Sequence, residues 1–172
     1  MKRYTPTVFL LLLQLVFATS ALAQGFPYHL YDTRTLGELV DLNIAEIPKL
    51  GDNKSQQVMI SANPFYSAIR MEYRGQSRAV PKERIGLFRL WAESMNIKTD
   101  KGVDPLGMVE KEFLFRECGK DYWIPVQKPA AKDLTADVKS GDRVTLYLMM
   151  VGGNESQGKW DWMFFTNSFK VY

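Results

Sequence analysis

Arg143-Val-Thr-Leu-Tyr-Leu-Met-Met-Val-Gly-Gly-Asn-Glu-Ser-Gln-Gly-Lys-Trp-Asp-Trp-Met-Phe-Phe-Thr-Asn-Ser-Phe-Lys-Val-Tyr172 is the stretch that decides the fold. Two apolar arms, Val144 to Val151 and Trp160 to Val171, flank the polar, glycine-rich run Gly152 to Gly158, a pattern that predicts a long β-hairpin. In the first arm Val144, Leu146, Leu148 and Met150 alternate with Arg143, Thr145, Tyr147 and Met149, as in a strand with one buried side. The second arm is dense in aromatic and β-branched residues, which suit a pleated surface covered on both sides. In it Trp160, Trp162 and Phe164 share one face, and Met163, Phe165 and Phe169 the other.

Upstream of the hairpin, the segments Glu110 to Cys118 and Tyr122 to Gln127 complete a strand-rich region from Met108 to the end, punctuated by Gly119-Lys-Asp121 and by Lys139-Ser-Gly-Asp142. Ala130 to Val138 has room for one helical turn. Such a density of short strands predicts a small curled sheet or partly open β-barrel of the OB-like or SH3-like sort, in which closure hides strand edges. Before Met108 the pattern is mixed. Thr35-Leu-Gly-Glu38 has capping-box spacing ahead of Leu36, Leu39, Val40, Ile44 and Ile47. Val58 to Ile60 is a short strand, and Phe65 to Gly75 alternates Ile69, Met71 and Tyr73 with Arg70, Glu72 and Arg74. Pro81 opens a helix to Met95 with Leu87, Phe88, Leu90, Trp91 and Met95 as its apolar stripe. The fold class expected is α+β and sheet-dominated, with one or two short helices. Residues 24–172 form one domain, with a helix/strand portion 24–107 and a β-rich portion 108–172.

The chain's first residues speak to its compartment. Lys2 and Arg3 precede an apolar run from Val8 to Phe17, and Ala21-Leu-Ala23 supplies small residues for a signal peptidase. Residues 1–23 read as a signal peptide, cleaved before Gln24, for export to a bacterial periplasm or the outside. The run is too short for a membrane-spanning helix, which needs about 20 apolar residues, so no transmembrane anchor is expected in the mature chain. Removing Lys2 and Arg3 from the formal net charge of +3 leaves about +1. That balance argues against a nucleic-acid partner, which calls for a concentrated basic face. With Cys118 as the single cysteine, no intramolecular disulfide forms, and it reads as a small buried residue near a strand end.

Several chemistries fall away by inventory. His29 is the only histidine, so a conventional zinc site is not available and neither metal nor cofactor is expected. Gly153 to Lys159 has the glycine and lysine spacing of a phosphate loop, but Trp160 stands where the Ser or Thr should be, ahead of a strand. No Gly-x-Ser-x-Gly elbow occurs. Glu110, Glu112, Glu117, Asp121 and Asp161 are carboxylates by type; Asp161, between two tryptophans, is the one in an apolar setting, where either burial or an Arg or Lys partner awaits it. What remains is aromatic. Trp123, Tyr147, Trp160 and Trp162, with Lys159 at the rim, form the expected ligand-binding strip on a sheet face. The function expected is an exported, non-enzymatic binding or accessory module that engages a protein or cell-envelope component. The alternative is an envelope-acting hydrolase using carboxylates.

Overall fold

The computed structural model describes residues 26–45, 57–61, 65–96, 105–156 and 158–172. The predicted signal peptide and Ile47 lie outside them. Among the described residues seven strands make one mixed sheet: β1 (Asp32–Thr33), β2 (Gln57–Ile60), β3 (Ser67–Ala79), β4 (Val109–Glu117), β5 (Lys120–Gln127), β6 (Arg143–Ser156) and β7 (Lys159–Val171). Three helices accompany it, α1 (Leu36–Ala45), α2 (Lys82–Ser94) and α3 (Lys128–Asp137), with a single helical turn at Pro105–Met108. The fold is therefore α+β and sheet-dominated. No helix among the described residues is long and apolar enough to cross a membrane.

Strand order is β1-β3-β4-β5-β7-β6-β2, and β3 also pairs with β6, so β3, β4, β5, β7 and β6 close into a ring. Its narrowest seam is the parallel contact of β5 with β7, through Val126 and Thr166. β3, which starts at Ser67, closes the ring with the strands that follow Met108. Long strands make this possible: β3 bends at a register shift between Tyr73 and Ser77, pairing with β6 before it and continuing along β4 after it.

The period-2 faces predict the interior well. Val144, Leu146, Leu148 and Met150 are all fully buried and meet Ile69, Met71 and Tyr73 from β3 and Phe113 and Phe115 from β4. Outside the ring α2 lays Leu87, Phe88, Trp91 and Ala92 over Met149, Val151, Met163 and Phe165. Leu90, expected in that stripe, is exposed. Two bulges modify the hairpin phase. Tyr147 pairs with Ser168 but Leu148 with Thr166, leaving Asn167 as the extra residue, and this turns Phe169 to the inner cluster, opposite to its expected side. On the other strand the extra residue is Val151.

Three further expectations change. Gly152 to Ser156 is strand and not loop, since Gly152 and Gly153 pair with both β2 and β7. A Cβ on Gly152 would overlap the Met59 carbonyl, so the close approach of β2 requires the glycine. Ala130 to Val138 belongs to a ten-residue helix that starts near Pro129, a residue favoured in a first turn. The β4–β5 turn is Cys118-Gly119, both at positive φ (48° and 80°), which exposes Cys118 instead of burying it. The capping box at Thr35 does form: Glu38 accepts from the Thr35 N–H at 2.7 Å, and Thr35 Oγ1 from the Glu38 N–H at 3.2 Å.

Candidate functional site

At one end of the ring, α1 leaves a cleft of about 390 Å³ against β5 and the start of β7. Leu36, Val40 and Asp41 form the helical wall, Tyr122 and Trp123 the β5 wall, and Trp160, Asp161, Trp162 and Phe164 the β7 wall. Trp160 and Trp162 alternate on one face of β7, and their rings stack in parallel at 4.5 Å with 1° between the planes. Both indoles crowd over Gly153 on β6, where a Cβ would overlap the Trp162 ring. Glycine there lets two large rings settle onto the sheet. The two tryptophans are half-buried: they pack on the rim of the inner cluster, through Phe164, while their outer parts line the cleft.

An ionic network braces this wall. Arg84, in the first turn of α2, donates Nε to Asp161 Oδ2 at 3.1 Å and pairs its Nη2 with Asp161 Oδ1; its Nη1 reaches Glu112 Oε2 at 2.8 Å and the Trp123 carbonyl at 2.9 Å. Burial alone would lower the Arg84 pKa, but bonds and charge from Asp161 and Glu112 outweigh it and raise the value. Glu110 is exposed and meets Lys128, whereas Glu112 is 0% exposed and also pairs with Arg78. Its burial follows from two arginines folding over it from β3 and α2. Arg78 in turn lies over the Trp123 ring, 4.1 Å from its centroid. Asp161 finds an arginine partner, from a helix, and stays 60% exposed.

Of the five expected site residues, Trp123, Trp160 and Trp162 come together in the cleft. Lys159 is exposed at the turn into β7, one residue out of phase with Trp160. Tyr147 lies elsewhere, on the outer face as its phase requires, but covered: Phe26, Tyr28 and Tyr31 of the N-terminal arm pack on it at 4.6–5.7 Å, leaving it 9% exposed. Sequence reasoning missed Asp41, Arg84 and the α1 wall. Arg84 and Asp161 are 77 positions apart, and no local pattern connects them. Asp121, another carboxylate of the cleft, is held by Arg116 through two bonds at 2.7 and 2.9 Å.

A second, more open groove of about 540 Å³ runs past Arg34, Arg70, Glu72, Glu117, Arg143 and Tyr172. Glu117 accepts from the Leu36 N–H at 3.0 Å, and burial raises its pKa despite that bond. The groove is larger, yet it has a single aromatic ring, Tyr172, whereas the cleft converges three indoles with a few polar groups, the usual make-up of a ligand site. Compared with protein-family models, curated proteins and solved structures, the chain matched none.

Proposed function

We propose that the protein is an exported, non-enzymatic binding module, released by cleavage after Ala23, whose tryptophan cleft engages a saccharide-bearing component of the cell envelope. The observation that carries this is the Trp160–Trp162 pair, held against Gly153 beside the carboxylates Asp41 and Asp161. Indole surfaces take the C–H faces of sugar rings, and neighbouring carboxylates accept their hydroxyls.

We further infer an OB-like barrel. Numbered in chain order the five ring strands pair 1-2-3-5-4-1, with α3 between the third and fourth. Barrels of that kind bind oligonucleotides or oligosaccharides on strands 2–3 and the loops beside them. The cleft occupies a corresponding position: Trp123 is on the third ring strand, Arg84 in the connection from first to second, and Trp160 just after the turn from fourth to fifth. This is a fold-level analogy. Charge chooses between the two ligand classes, because Arg84 and Arg116 are already paired with Asp161 and Asp121 and Asp41 adds a negative charge, which disfavours a phosphate backbone. The hydrolase alternative is weaker, since Asp121 and Asp161 each hold a guanidinium on both oxygens and neither is free to shuttle a proton.

Titration of the mature chain with soluble envelope oligosaccharides, followed by tryptophan fluorescence, tests the reading. Trp162→Ala should abolish the response while its melting temperature stays near wild type. A loss of roughly 3 to 5 kcal/mol in stability would mark Trp162 as core and sink the proposal, as would wild-type protein that responds to no saccharide fraction.

A further inference from the structure

The tryptophan cleft carries an unmatched negative charge. The guanidiniums around it are committed to carboxylates: Arg84 to Asp161 and Glu112, Arg78 to Glu112, and Arg116 to Asp121. Arg84, the one of these that lines the cleft, gives Nε and Nη2 to Asp161 and Nη1 to Glu112 and the Trp123 carbonyl, and its side chain is 12% exposed. Asp41 is the carboxylate left over. It is exposed on the α1 wall and has no hydrogen-bond or ion-pair partner among the described residues. Its own helix offers none, since Leu36–Ala45 contains Glu38 and Asp41 but no Lys or Arg. Across from α1 the cleft presents indole, in Trp123 and the stacked Trp160 and Trp162. The face of an indole is the negative part of its quadrupole and attracts a cation within about 6 Å of the ring centre. Trp123 already holds one in this way, Arg78 at 4.1 Å, a residue that does not line the cleft.

We propose, building on the saccharide reading of this cleft, that its ligand is an amino sugar with a free, protonated amine, a hexosamine that is not N-acetylated. The C–H face of the sugar lies on the Trp160–Trp162 pair, and the ammonium meets Asp41 within reach of the indole faces. A neutral sugar offers Asp41 a hydroxyl but no charge. An acidic sugar brings like charge to Asp41, and Arg84 has no uncommitted nitrogen with which to offset it. The cationic sugar alone gains from both walls.

Isothermal titration calorimetry with β-1,4-linked oligomers of one length tests this: glucosamine, its N-acetylated form, and glucose, which has a hydroxyl where glucosamine has its ammonium. At about pH 5.5 the amines are protonated and an ordinary carboxylate is ionised. Glucosamine should bind on the order of tenfold more tightly than either neutral oligomer, and added salt should narrow the gap. Asp41→Asn should cut that preference about threefold or more, whereas Asp41→Glu keeps the charge and should keep the preference. Asp133→Asn makes the same change in net charge on α3, outside the cleft, and should leave the preference intact. Equal affinities for the oligomers, or a preference that survives Asp41→Asn, would overturn the inference and leave the saccharide reading standing. Displacement of glucosamine by the free diamine putrescine at equal amine concentration would overturn it as well, since an amine alone would then suffice. A protein that binds none of the oligomers but responds to other envelope saccharides overturns this inference alone, and one that responds to neither overturns both.

Discussion

Replacing Arg84 by methionine keeps an unbranched stem but removes the guanidinium that joins Glu112, Asp161 and the Trp123 carbonyl. Glu112, at 0% exposure, would retain only Arg78, whose own side chain is 46% exposed. Stripping one partner from a buried ion pair costs about 3–5 kcal/mol, because the charge left behind is neither solvated nor fully paired. With Arg78 still in place the lower end applies, about 3 kcal/mol. In a domain of this size each kcal/mol moves Tm by roughly 2–4 °C, so Arg84→Met should melt roughly 6–12 °C lower. Removing the carboxylate as well, in Arg84→Met with Glu112→Leu, relieves the orphaned charge and lets Arg78 turn to water. The double variant should then lose less than the two single variants together. Thermal unfolding of the four proteins at neutral pH, followed by circular dichroism, measures this. An Arg84→Met variant that melts within roughly 2 °C of wild type, or strictly additive losses, would refute the account of the network.

Two further outcomes follow from the same geometry. Burial raises the Glu117 pKa in the folded chain, so above the ordinary carboxylate value of about 4.5 the folded state holds this proton longer than the unfolded one. Glu117 therefore erodes stability as pH rises through that window; Glu117→Gln should be more stable than wild type at pH 7 and lose the advantage in acid, and denaturant titrations at both pH values that found no difference would contradict this. Gly153→Ala sets a methyl group into the Trp162 ring and should cost about 1–3 kcal/mol while changing the fluorescence of the stacked indoles, whereas an unchanged spectrum would mean that the rings do not rest on that glycine.

Local periodicity in the sequence was enough to identify most elements and the buried face of the strands. The alternation in β3 and β6 named Ile69, Met71, Val144, Leu146 and Leu148 as interior, because side chains two residues apart in a strand must share a face. The capping box at Thr35 was legible for the same reason: its partners are three residues apart. That Trp160 and Trp162 share a face was readable too. Which way that face points, and what it meets, was not, because strand partners and bulges are set by long-range pairing. Asn167 and Val151 each shift the hairpin phase, carrying Phe169 inward, and closure of the ring by β3 depends on strands distant in the chain. Tyr147 shows the limit clearly: its phase sends it outward, but only the return of Phe26, Tyr28 and Tyr31 onto that face decides that it is covered. The charges obey the same division. Side-chain type marks Asp161 and Glu112 as acids, whereas their shared hold on Arg84 exists only once α2 packs on β6 and β7, since a Coulombic pair needs proximity in space and leaves no period in the sequence.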